Sequence, residues 1–359
     1  MTERSGPARL TDASTVEVVH RLEPLRDAWT GLTANGANIF ATWEWNELWW
    51  RHYGRARRLR VGVLRRGGEV GAIVPLFIWS DRPFRVLRLL GHGHGDRLGP
   101  ICDGDEPGTA ERALRDALSA VPHDLFVGDW LAGDCGWTGA LGGRVLRTTG
   151  YPILALEGRS WEELLAGRSP RLRKNIRQSR NRLERRHIVR FRSSDATTLD
   201  GDLDTLFGLH RSRFGRHEGC HFCGDYEPFQ RDFAALAFDR GWLRLLLLEL
   251  DGEAVAAEFG FLFHDVYFAY QGARNPAWDR ESVGFVVEVE TIRRTLEEGA
   301  VEFRFLGGEE PYKYRFPTRD PRLATVLAGR TGRGRLAATA LATAWRLPGG
   351  ETLLRRVGA

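Results

Sequence analysis

Long apolar runs are missing from this sequence. Met1 to Leu10 contains none, so no signal peptide is expected. Nowhere do about 20 apolar residues follow one another, the length a membrane-crossing helix needs. No transmembrane segment is therefore expected, and the protein should be cytoplasmic. Cysteine is scarce too: Cys102, Cys135, Cys220 and Cys223 are all there are, and in a cytosolic protein they read as free thiols. The run His217-Glu218-Gly219-Cys220-His221-Phe222-Cys223 hints at zinc, but a structural zinc site draws its ligands from two separated pairs. No second pair follows, and no metal is expected. Also lacking is a nucleophile in a recognisable activating setting, so no covalent enzyme intermediate is expected.

What is present is ordinary for a globular protein. Hydrophobic residues make up 42% and charged residues 28%, with 12 Trp and 19 Phe to fill a core. The length of 359 residues suits two domains. A net charge of +5, with Arg far outnumbering Lys, fits an acidic partner or an arginine-rich codon usage equally and decides nothing.

One pattern occurs twice. Arg58 to Leu64, a Gly67-Gly68 turn and Glu69 to Trp79 read as a hairpin. A strand at Phe84 to Leu90, a helix at Gly108 to Val121 and a strand at Asp124 to Trp130 follow. Leu243 to Leu250, the Asp251-Gly252 turn, Glu253 to His264, Val266 to Gln271, a helix from Ser282 to Glu298 and a strand from Val301 to Leu306 repeat the order. Corresponding turns lie about 180 residues apart, the mark of a duplicated domain. Strand, helix, strand in that order implies a parallel crossover. Each half is therefore expected to be α+β, a mixed and mostly antiparallel sheet with flanking helices. The expected division is 1–157 and 158–359. Further helices are read at Thr42 to Tyr53, Trp161 to His187 (restarted at Ser169-Pro170), Leu203 to Arg216, Tyr226 to Arg240 and Arg335 to Arg346.

The second copy carries most of the chemistry. Its loop, Gly272 to Gly284, ends where a helix begins, with Ser282 as the N-cap and an apolar face of Val283, Val286, Val287, Val289, Ile292 and Leu296. The first N–H groups of a helix are unpaired and its dipole favours an anion. Ser282, Val283 and Gly284 can thus present N–H groups to a phosphate while Arg280 neutralises it; the alternative is a plain capped surface loop. In the basic stretch from Arg171 to Arg190, Arg173, Arg177 and Arg180 share one helical face. Lys174 and Arg177 there are candidate phosphate contacts, against the alternative of a solvated face. Base-stacking aromatics are absent from it, so sequence-specific RNA reading is not expected. Past the last strand stand Glu309, Tyr312, Lys313 and Arg315. They offer a carboxylate base, a hydroxyl acid, and cations for an oxyanion or a substrate anion.

The order of elements, the Ser282-Val283-Gly284 helix start and the ending Phe303-Arg304-Phe305-Leu306-Gly307-Gly308-Glu309-Glu310-Pro311-Tyr312-Lys313-Tyr314-Arg315 resemble the GNAT acyltransferase superfamily. The resemblance is to its tandem, double-domain branch of the cellulose-biosynthesis type, related to the Fem peptidoglycan-bridge transferases. Leu172 to Arg180, and Phe40-Ala41-Thr42-Trp43-Glu44-Trp45, are similar to that branch as well. The likeness runs from Leu22 to Pro317, with one departure: Glu281-Ser282-Val283-Gly284-Phe285 keeps a single glycine of the phosphate loop.

The resemblance implies an N-acyltransferase whose second half holds acyl-CoA, as co-substrate rather than resident cofactor. It implies that a degenerate first half and the groove beside it hold an amine-bearing small molecule, sugar or peptide. Trp45, Asp96 of the Gly91-His92-Gly93-His94-Gly95-Asp96 loop, Gln271 and Arg315 are the expected acceptor contacts. Glu258, inside an apolar strand, sits where related folds place a general base, unless it faces solvent; half-burial would raise its proton affinity towards neutrality. Tyr270 either meets the thioester carbonyl or packs. Aminoacyl-tRNA is the alternative donor. A non-catalytic protein that binds carbohydrate or nucleotide is a third reading.

Overall fold

The computed structural model describes residues 15–36, 38–102, 108–214, 222, 224 and 226–346. The chain divides into two compact units, 1–149 together with 322–359, and 150–321. Of the zinc-like run, all but Phe222 lies outside the described residues. Among the described residues no three or more His, Cys, Asp or Glu side chains gather as a metal site would need, and no helix is long and apolar enough to cross a membrane.

In chain order the first unit contains β1 (Thr15–Val19), α1 (Arg26–Thr33), α2 (Trp43–Tyr53), β2 (Arg58–Leu59), β3 (Val61–Arg66), β4 (Glu69–Val74), β5 (Leu76–Ser80), β6 (Val86–Leu89), β7 (Ile101–Cys102), α3 (Thr109–Ala120), β8 (Leu125–Ala132), α4 (Trp137–Leu141) and β9 (Arg144–Thr149). The second contains β10 (Ile153–Ala155), α5 (Trp161–Ala166), α6 (Pro170–Glu184), β11 (Val189–Ser193), α7 (Leu199–Phe214), α8 (Tyr226–Asp239), β12 (Leu243–Leu250), β13 (Glu253–Phe263), β14 (Val266–Arg274), α9 (Val283–Glu297) and β15 (Glu302–Arg304). The chain then returns to the first unit with β16 (Leu323–Gly329) and α10 (Gly332–Ala344).

Both expected hairpins form, for the expected reason. A two-residue turn that matches strand twist needs positive φ at both positions. Gly67 and Gly68 take 55° and 92°, and Asp251 and Gly252 take 53° and 89°. The strand expected at 69–79 is instead two. Pro75, which cannot donate to a ladder, separates β4 from β5, and they join different sheets. One sheet runs β1-β3-β4-β7 and the other β2-β5-β6-β8-β16-β9. The tail, expected in the second half, supplies β16, wedged antiparallel between β8 and β9. The boundary accordingly falls at Thr149 and Arg322 rather than at residue 157.

The second unit is one six-stranded sheet, β10-β15-β14-β13-β12-β11, antiparallel except for β14 and β15. Ser169 starts α6, its hydroxyl accepting from Leu172 N–H at 3.2 Å, with Pro170 at the first helical position. α9 buries Val283, Val286, Val287 and Ile292 on the sheet. Each such side chain contributes about 1.5–3 kcal/mol. Together with Tyr267, Phe303 and Phe305 they fix how β14 and β15 leave each other. That pair is joined only from Val266↔Glu302 to Phe268↔Arg304; beyond it the two strands are no longer bonded.

Candidate active site

Where β14 and β15 stop pairing, a cavity of about 580 Å³ opens, of the size that takes a small ligand. Its walls are Ala269–Arg274 of β14, Phe303 and Phe305, the start of α9, and one side of α6. Two buried carboxyls are part of its lining. Glu258 of β13 is 8% exposed and pairs in register with Gly272. Glu288 of α9 is 6% exposed, and its Oε1 has no hydrogen-bond partner. Burial pushes both carboxyls up to about 8. The charge of Lys313 opposes the rise at Glu258; at Glu288 the proximity of Glu258 adds to it while Arg315 and Lys313 oppose it. A carboxyl tuned this way can hold or release a proton near neutrality.

Lys313 is positioned by the backbone. Its Nζ donates to Gly307 O at 2.7 Å and pairs with Glu310 at 3.3 Å. Gly308, at φ 143°, leaves the room this requires, since a Cβ there would lie 2.6 Å from Lys313 Nζ. Arg315 stacks over Phe285 at 4.7 Å and stands 4.0 Å from Glu288 Oε2. Burial, then Glu258, Glu310 and Glu288, push the Tyr312 hydroxyl up, so it remains a protonated donor. Gln230 Nε2 donates to Tyr270 Oη at 2.8 Å, and Gln271 Nε2 lies 3.2 Å from His210 Nε2.

The other end of the cavity is basic. The α9 ladder begins with Phe285 and Val286, both donating to Ser282 O, which leaves the N–H groups of Val283 and Gly284 ahead of it. Ser282 itself departs from expectation. It takes φ 60°, its side chain caps nothing, and its N–H is spent on Asp279 O at 3.2 Å. A non-glycine residue in that region costs about 1 kcal/mol, a strain typical of functional loops. Arg280 is exposed and lines nothing; its carbonyl accepts from Arg182 at 3.0 Å. Arg182, Arg213 and Arg274 line the cavity instead, Arg274 braced by Asp279 at 2.6 Å.

The cavity therefore gathers Glu258, Tyr270, Gln271, Ser282, Gly284, Tyr312, Lys313 and Arg315 from among the sequence-derived candidates. Glu309 is exposed and outside it, and Val283 brings only its N–H, its side chain being core. Lys174 and Arg177 point to solvent, because α6 turns Leu172, Asn175, Ser179 and Arg182 towards the cavity. Trp45 and Asp96 belong to the first unit. Trp45 is core, edge-on to Phe40 at 4.8 Å, and its indole nitrogen closes on Gly91 and Gly95. The glycine loop is thus packed around Trp45, which leaves that ring no face for a substrate. Sequence reasoning missed Glu288, Arg213, Arg274, Asn175 and Ser179. An acid between two valines of α9 (Val287-Glu288-Val289), and the 3-4-3 spacing of 172, 175, 179 and 182, were the available signals.

Comparison with known proteins places this geometry. Residues 170–314 match the acetyltransferase (GNAT) domain family. A crystal structure of FemX superposes with a TM-score of 0.61 at 14% identity, covering 90% of this chain and 99% of that one. The structure of L-PGS from Bacillus licheniformis gives 0.53 at 13% identity, covering 89% and 96%. At such identities the likeness is one of fold, and it extends over both units. No curated protein sequence matches.

Proposed function

We propose, from the premise that residues 170–314 form a GNAT acetyltransferase domain, that this chain is an N-acyltransferase moving an acyl group from acyl-CoA to an amine. One observation carries the reading: a single cavity is lined by two buried carboxyls, Glu258 and Glu288, the second with an oxygen that has no hydrogen-bond partner, and by a helix start with arginines at one end. The phosphates of the donor lie at the Val283 and Gly284 N–H groups, beside Arg182 and Arg274. Its thioester runs along the open edge of β14. Glu258, as carboxylate, takes the proton from the acceptor ammonium. The amine attacks the thioester carbon, and the carbonyl oxygen gathers negative charge near Lys313. The C–S bond then breaks, the thiolate takes a proton from Tyr312, and the surplus proton on the attacking nitrogen returns to the Tyr312 oxygen as the amide forms. Burial, opposed by the charge of Lys313, lets Glu258 exchange its proton near neutrality.

The test is to incubate the purified protein with acetyl-CoA and a panel of amino sugars, peptides and small amines. Free thiol release and product mass are followed together. Amine-dependent thiol release with an acylated product is the expected result; no product with any amine, and no stabilisation by coenzyme A, would remove the reading.

A second reading keeps the cavity and exchanges the donor for aminoacyl-tRNA. It is favoured by the solvent face of α6, where Arg171, Arg173, Lys174 and Arg177 stand exposed on the helix whose other side lines the cavity. Activity abolished by ribonuclease would select it.

A further inference from the structure

In the first unit, β6 and β8 also run parallel, and only through Val86↔Leu125 and Leu87↔Phe126. Here the splayed strands are bridged by their own side chains. Arg88 donates to Asp129 Oδ2 at 2.6 Å, and His92, from the loop that repeats glycine and histidine, closes the triangle 3.0 Å from the same oxygen. Arg88 is 5% exposed and its buried Nε has no partner. A second arginine stands over the same ground. The Arg57 guanidinium lies 3.7 Å above the Trp79 ring, Arg88 lies 5.1 Å from that ring, and His92 meets it edge-on at 5.2 Å.

The charges do not balance. Asp129 answers Arg88, whereas among the described residues no carboxylate pairs with Arg57. Burial and the charge of Arg88 push the Arg57 guanidinium down to about 10, as expected of a half-buried cation without a counter-charge. Burial and Arg88 also push the His92 imidazole down, so it adds little positive charge of its own; Arg147, which acts on Asp129, adds a further one. A guanidinium with one face on an aromatic ring keeps its N–H edge in the plane for two parallel bonds to an oxyanion.

We propose that Arg57, stacked on Trp79 beside Arg88, is the anchor of an oxyanion-binding site in the first unit, for the carboxylate or phosphate of a small ligand. The site depends on none of the residues assigned to acyl transfer and stands or falls separately from that activity.

Inorganic phosphate and acetate are titrated separately into the full-length protein at constant ionic strength, against chloride, with binding followed by calorimetry. The site predicts a saturable component for at least one of them, weakened about tenfold or more in Arg57→Gln. Arg57→Lys, which keeps the charge and loses the fork, should fall between the two. The same component should survive Gly284→Asp, which separates it from phosphate held in the second unit. Response to phosphate alone marks a phosphorylated ligand, and response to acetate alone marks a carboxylate. Binding no stronger than chloride, or curves that coincide for wild type and Arg57→Gln, overturns the site.

Discussion

Glu258 and Gly272 face each other across β13 and β14 so closely that a methyl group on Gly272 would stand 3.0 Å from Glu258 Oε2. The strand position that looks like the least specific residue of β14 thus makes room for a carboxyl buried in the wall of the cavity. Gly272→Ala should displace the end of that side chain and leave the sheet intact. The expected outcome is a melting temperature within a few degrees of wild type and a kcat/KM reduced about tenfold or more. Unchanged kinetics would show that the position of this carboxyl is unimportant.

Acidity gives a second prediction. Glu258 and Glu288 are pushed from an ordinary value of 4.5 up to about 8, so the folded protein holds protons that the unfolded chain releases. Their contribution to stability is whole below 4.5, is lost as pH rises to about 8, and is level beyond. Glu288→Gln should flatten denaturation curves measured across that window and raise stability at its alkaline end. Turnover has the opposite slope, since the base must be ionised: it should climb to a plateau above about 8. Glu258→Gln should remove the climb and lower the rate roughly 10²–10⁴-fold.

At the basic end, a Cβ on Gly284 would lie 3.1 Å from Arg274 Cδ, at the mouth of α9. Gly284→Asp would put a carboxylate among the free N–H groups that a phosphate needs. Thermal stabilisation by coenzyme A should disappear while the melting temperature without ligand changes little. Stabilisation equal to wild type would place the donor phosphates elsewhere.

A fourth prediction concerns stability alone. Arg192 of β11 grips Asp202 of α7 with two bonds, at 2.6 and 2.7 Å, and Glu249 of β12 with a third, at 2.8 Å. Asp202 is 4% exposed, so Arg192→Ala would strand an acid in the interior. About 3 kcal/mol of unfolding free energy should be lost in urea titrations, and Arg192→Ala with Asp202→Asn should recover part of it.

Local signals carried the sequence reading far. Turn residues located both hairpins, Ser169-Pro170 located the start of α6, and an apolar face located α9. Pairing between strands distant in the chain has no such signal, and so β16 was not read as a strand and its residues were placed with the second half. In β13 both faces are buried, so alternation could not say which way Glu258 points. The density of arginine on α6 drew attention to its solvent face, while the cavity face is Leu172, Asn175, Ser179 and Arg182, of which only the last is charged. Arg213 and Arg274 reach the basic end of the cavity from separate elements, a convergence that only folding reveals.

The strand β16 has a consequence for the order in which the protein assembles during synthesis. It is an interior strand of its sheet, with β8 on one side and β9 on the other, yet the ribosome makes it after the whole of residues 150–321. Until Leu323–Gly329 emerges, the edges of β8 and β9 have no neighbour to bond. The later-encoded unit, continuous in sequence, can therefore mature first, and the nascent amino-terminal portion must wait for it.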